Sequence, residues 1–206
     1  MPCPRPITSS AKAFTLVELL AVITIVGILA AILTLVIGRA RASAKRSECL
    51  QNVRQLGIAS LLYSQDNKGV LPLGDANAAK DNYWHHKIHP YLFSNDTGFS
   101  GYNLKKVYVC PDDEAQEGGD DGNDALSYGF NTNLKNMRVN QIAKPVAMIG
   151  DASGSIGINA STTTTTLAYR HNNAAMIFYA DGHAGPLEQS AYTSFQALRK
   201  AVFLPD

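Results

Sequence analysis

From Phe14 to Ile37 the chain runs 24 residues, FTLVELLAVITIVGILAAILTLVI, without a lysine, arginine, histidine or aspartate. At about 1.5 Å per residue that is about 36 Å of helix, enough to cross the core of a bilayer with some tilt. One ionisable group interrupts the run, Glu18. A carboxylate at that depth costs on the order of 2.5–3.5 kcal/mol, so its presence calls for a partner. The 206-residue chain therefore reads as one membrane span followed by a single domain of ordinary size.

Net charge is +1, so nothing global points to nucleic acid or another polyanion. The charge is uneven along the chain. Seven of the 17 acidic residues fall between Asp112 and Asp124, and four basic ones fall between Arg39 and Arg46. Of three cysteines, Cys3 precedes the apolar run, whereas Cys49 and Cys110 follow it. If the chain beyond Ile37 is exported, Cys49 and Cys110 are free to oxidise together. Spacing alone leaves open whether their Cα atoms approach closely enough.

The residues before the span do not form an ordinary secretory signal, whose cleavage site follows its apolar core. MPCPRPITSSAKA is polar, and its small last residue, Ala13, stands ahead of the apolar run. An uncleaved signal anchor would have the same hydropathy profile. The heptapeptide FTLVELL (14–20), continued by VITIVGILAAIL, resembles the processing site of type IV prepilins and of type II secretion pseudopilins. That resemblance implies cleavage between Ala13 and Phe14 by a prepilin peptidase, methylation of the new Phe14 amine, and an assembly role for Glu18. Two positions depart from the family pattern: Ala13 stands where glycine is usual, and Leu35 where many members have proline. The new amine of one subunit could meet Glu18 of the next, or Glu18 could bond its own N-terminus with help from the helix dipole. Flanking charges counted alone would put Arg39, Arg41, Lys45 and Arg46 in the cytoplasm; the resemblance places the leader there instead.

Beyond Ile37, Cys49/Leu50, Val53, Leu56/Gly57 and Ser60/Leu61 recur at helical spacing. One helix is therefore expected from Phe14 to Asp66, ending at Asn67-Lys68-Gly69, with Asn and Gly in a left-handed cap. YWHHKIHPYLF (83–93) predicts aromatic packing with exposed histidines; His85 and His89 would share a helix face, and Pro90 would end that helix. KKVYVCP (105–111), LSYGFN (126–131) and KPVAMIGDA (144–152) read as short strands, and 155–167 as a polar loop or edge hairpin. The acidic run 112–124 reads as a solvated loop, with calcium at Asp120, Asp121 and Asp124 as the alternative; the EF-hand pattern is absent.

LAYRHNNAAMIFYADGHAGPLE (167–188) reads as strand, Asn-Asn turn, strand, Asp-Gly turn, strand. His171 followed after nine residues by Asp181-Gly182 resembles the H-X9-DG signature of prepilin-type processing-associated proteins. CLQNVRQL (49–56), YVCPDD (108–113) and SYGFN (127–131) agree with that resemblance. A structural reading makes Asp181-Gly182 the turn and lets His171 bond across the hairpin or to backbone. A metal reading joins His171, Asp181 and His183. A hydrolytic reading lacks a serine in any nucleophile-elbow pattern.

Together these features predict a leader (1–13), a transmembrane assembly segment (14–37), an amphipathic helical segment (38–66) and an extracytoplasmic head (67–206). The fold class is α+β, a long N-terminal helix on a mainly antiparallel sheet. The expected function is that of a pseudopilin-like subunit of a type II secretion or type IV pilus-like filament. It needs no cofactor, is the substrate of prepilin peptidase rather than an enzyme, and sits in the inner membrane. Its partners are other pilin-like subunits and the membrane assembly platform. The rival reading is a tethered ligand- or metal-binding module that does not polymerise.

Overall fold

The computed structural model describes residues 15–72, 83–93, 106–113, 126–135, 137–142, 145–153, 157–158, 166–192 and 194–204. The expected leader with Ala13 and Phe14, Asp120, Asp121 and Asp124 of the acidic run, and most of the threonine-rich stretch lie outside the described residues.

Helix α1 spans Leu16–Asp66, 51 residues, and the chain divides after Arg41 into two units. In the first unit the described large apolar side chains are exposed, from Leu16 (86%) to Ile37 (45%). An apolar sleeve of this size is not a water-facing surface. The segment is long and apolar enough to cross a membrane, which supports a single-pass anchor.

In the second unit α1 becomes one-sided. Cys49, Val53, Leu56 and Ala59 are buried on one stripe, while Ile58 and Leu62 stay exposed. The helix ends after Asp66 in a Schellman turn, with the Gly69 N–H donating to the Ser64 carbonyl at 2.7 Å. Lys68 and Gly69 take positive φ (55° and 82°). Of the two residues expected in the left-handed cap, Gly69 is there, whereas Asn67 instead donates its side-chain amide to the Tyr63 carbonyl at 2.8 Å.

The buried stripe packs on a five-stranded sheet of β1 (Tyr128–Asn131), β2 (Ala147–Asp151), β3 (Gly157–Ile158), β4 (Ala174–Tyr179) and β5 (Ala184–Glu188). Strand order is β3-β1-β2-β4-β5. Only the β1–β3 pair is parallel. The arrangement is the expected α+β one. Alternation along β4 sends Ala174, Met176 and Phe178 into the core shared with α1, and Ala175 and Ile177 into a second core. Leu198 of α3 (Phe195–Leu198) and Val202 and Phe203 of the following π-helical turn cover that second face. Cover on both faces explains why AAMIFY is apolar throughout. α1 approaches closely because Gly57 has no side chain: a Cβ there would overlap the ring of Phe178.

Two local expectations are corrected. KKVYVCP is not a strand; Lys106–Tyr108 form a 3-10 turn, with Val107, Tyr108 and Cys110 all buried. His85 and His89 do share a helix, α2 (Trp84–Leu92), but both are buried, and Pro90 lies inside the helix rather than ending it. A proline costs a helix one N–H donor. The turn still closes beyond it, through the Phe93 N–H donating to the His89 carbonyl at 3.0 Å.

Candidate functional site

Cys49 on α1 is joined to Cys110 by a disulfide, with Cα atoms 5.4 Å apart. Both residues are buried. Around this bond, α1 holds the 106–113 segment at several points. Asn52 directs its amide toward the carbonyls of Lys106 and Val109 and the Tyr128 hydroxyl at 3.3–3.4 Å. Lys106 pairs with Glu48 at 2.6 Å, and Lys45 pairs with Asp112 Oδ1 at 2.9 Å.

The other carboxylate oxygen of Asp112 faces His171 Nδ1 at 3.0 Å, which places the ring proton on that nitrogen. His171 Nε2 lies 3.3 Å from Cys110 Sγ and 3.8 Å from Asp151 Oδ2. Arg170 pairs with Asp113 at 2.7 Å and donates to the Ala152 carbonyl at 2.6 Å. Asp151, fully buried, accepts from the Met176 N–H at 2.7 Å. The sequence segments CLQN, CPDD, GDA and RH are thus far apart in the chain and adjacent in space.

Burial decides the electrostatics of this cluster. It pushes the Asp151 carboxyl up to about 7, against the pull of the Met176 N–H and of Arg170. It also lowers His171 from its ordinary value, with Asp112 opposing. Both groups are therefore biased toward neutrality. Cys49, Cys110 and His171 gather their ligand atoms within 4.8 Å of one another. The bond between the sulfurs removes the two thiolates that a metal would need. What the arrangement does chemically is hold: a covalent and ionic clasp between α1, the 106–113 segment, β2 and the turn before β4.

The sequence predicts that His171 bonds across its own hairpin or to backbone, or joins Asp181 and His183 at a metal. Its backbone does close the Asn172-Asn173 turn against Ala174, at 3.1 Å in both directions. Its side chain leaves the hairpin for Asp112. Asp181 and His183 lie at the far end of β4, so six strand residues separate them from His171. The metal triad of those three side chains is not assembled. Asp181 is exposed and, among the described residues, bonds locally, to His183 Nδ1 at 2.5 Å and accepting from the His183 N–H at 3.1 Å. Gly182 takes φ 93° in the turn. His89 Nδ1 faces the Tyr108 hydroxyl at 3.4 Å within the core, not a ligand cluster.

At the other end of the chain, Thr15 caps α1. The Glu18 carboxylate accepts from the Thr15 N–H and hydroxyl, both at 2.9 Å, while the Glu18 N–H donates to Thr15 Oγ1 at 3.2 Å. This is a reciprocal capping box. Its T-x-x-E spacing is a sequence signal for that cap, and the aspartate ending the apolar run of β2 is a signal for the buried cluster. Asn131 is a third such residue. It donates to the carbonyls of Ala147 (2.8 Å) and Phe203 (3.0 Å), pinning the C-terminal turn to the sheet.

A family described as the prokaryotic N-terminal methylation motif matches residues 8–34. The chain carries a prepilin-type N-terminus. This prepilin-type segment ends close to where the bare apolar half of α1 does, and it marks the chain as a substrate of N-terminal processing. No curated protein and no solved structure matches the chain at a significant level.

Proposed function

We propose that the chain is a pseudopilin-like structural subunit, cleaved between Ala13 and Phe14, methylated on Phe14, and assembled through α1 into a filament of a type II secretion or type IV pilus-like system. The observation that carries this reading is the methylation motif at 8–34, which takes in most of an exposed apolar helical segment whose one carboxylate is Glu18. In a single chain that carboxylate is satisfied by Thr15. In a stack of helices it is positioned near the start of its neighbour, where a positively charged amine can replace the Thr15 contacts. Other pilin-like subunits, a prepilin peptidase and an inner-membrane platform are the partners, with residues after the span in the periplasm. The clasp suits that compartment, because a buried disulfide forms and persists where the surroundings oxidise.

Intact mass of membrane-extracted protein tests processing. Loss of residues 1–13 and gain of one methyl group are expected, and a full-length mass overturns the reading. Glu18→Ala should leave cleavage intact and abolish crosslinked oligomers.

A further inference from the structure

Within the clasp, two buried acceptor atoms beside the disulfide have no proton pointed at them. His171 gives its Nδ1 proton to Asp112 at 3.0 Å, so Nε2 keeps a lone pair. That lone pair lies 3.3 Å from Cys110 Sγ, which as part of a disulfide carries no proton to donate. Asp151 approaches the same nitrogen, with Oδ2 3.8 Å from Nε2. Its Oδ1 is buried and, among the described residues, accepts no hydrogen bond. Buried acceptors are ordinarily paired, so two left over beside two sulfurs call for an account.

With the S–S bond open, these groups have the spacing of a tetrahedral zinc site. The ligand atoms of Cys49, Cys110 and His171 lie within 4.8 Å of one another. Neighbouring ligands on zinc stand about 3.3–3.8 Å apart, given bond lengths of about 2.0–2.3 Å and a tetrahedral angle. The two distances from His171 Nε2, 3.3 and 3.8 Å, span that range. Asp112 behind the imidazole is the carboxylate that orients a metal-bound ring. Two thiolates and one carboxylate exceed the charge of the ion by one, and Arg170 beside Asp151 offsets it. Thiolate ligands select zinc over calcium or magnesium.

We propose that the reduced chain binds one zinc ion through Cys49, Cys110, His171 and Asp151, so that the clasp closes covalently when oxidised and through a metal when reduced. A new chain begins with both cysteines as thiols, and the metal closure holds α1 to the 106–113 segment and the sheet until they oxidise. A dithiol that reduces the bond places two electrons and two protons on the Cys49 and Cys110 sulfurs and is itself closed to a disulfide. Zinc then replaces one proton on each thiol, forming two Zn–S bonds and releasing two protons to solvent. The site does not depend on the assembly reading.

The test uses the detergent-solubilised full chain carrying Cys3→Ser, reduced with a water-soluble phosphine and kept free of air. Equilibrium dialysis should give one zinc per reduced chain and none per oxidised chain. Cobalt(II) in place of zinc should show the intense visible bands and thiolate charge-transfer absorption of a tetrahedral sulfur site. Asp112→Asn should weaken zinc binding about 10–100-fold. Asp151→Asn, which keeps an oxygen for the Met176 N–H, should weaken it at least as much. Zinc should raise the Tm of the reduced chain and leave that of the oxidised chain unchanged. No zinc on the reduced chain, a cobalt spectrum without thiolate bands, or an affinity unchanged in either aspartate variant overturns the site, whether or not the reduced chain stays folded.

Discussion

Replacing Asp151 by asparagine separates the charge of the clasp from its shape. In the unfolded chain this carboxyl titrates near its ordinary value of about 3.9; in the folded chain burial holds it at about 7. The folded state binds the proton more tightly, so the contribution of Asp151 to stability is most favourable below pH 4 and is lost as pH rises through the window from about 4 to 7. The full penalty above that window is about 4 kcal/mol, and about 3 kcal/mol of it develops between pH 5 and 8.5. Asparagine keeps an oxygen for the Met176 N–H, 2.7 Å from Oδ2 in the parent, and cannot ionise. Asp151→Asn should therefore gain about 3 kcal/mol on the parent between pH 5 and pH 8.5. For the 165 residues of the second unit this is about 6–12 °C in Tm. The lowered His171 acts in the opposite direction, costing stability as pH falls below about 6.5, in both proteins. Melting of the detergent-solubilised full chain, followed by near-ultraviolet circular dichroism at both pH values, reads the difference. An equal Tm offset at pH 5 and pH 8.5 would refute an ionisation penalty at Asp151.

The remaining predictions concern packing and the covalent bond. The Cys49–Cys110 bond spans a sequence separation of 61 residues. Loop-closure entropy for that length gives about 4 kcal/mol, so Cys49→Ala/Cys110→Ala should melt about 8–16 °C lower, with reductant ceasing to have any effect. Gly57→Ala should cost about 1–3 kcal/mol, because the ring of Phe178 occupies the space of the new methyl. Pairing it with Phe178→Leu should cost less than the two separate changes added together, and strict additivity would count against the overlap. Lys45→Ala removes the half-exposed ion pair with Asp112 and should change stability by less than about 1 kcal/mol; a larger loss would mean that Lys45 holds Asp112 against His171.

Local chemistry determined much of this protein. A span, its single carboxylate, the length of α1 and its stop near Asp66 follow from composition and helical period, because a helix is made of contacts three and four residues apart. The Asn172-Asn173 and Asp181-Gly182 turns follow for the same local reason. Tertiary structure decided which residues meet. Nothing local distinguishes a histidine that bonds across its hairpin from His171, which leaves it for Asp112 some sixty positions earlier in the chain. Nothing local separates a strand from the buried turn Lys106–Tyr108, since the apolar spacing of KKVYVCP suits both. His171 and Asp181-Gly182, read in sequence as one signature, occupy opposite ends of β4. One is closed into the clasp and the other lies open at the rim of a groove. The clasp unites residues from positions 45 to 171, and only the packing of α1 on the sheet brings them together.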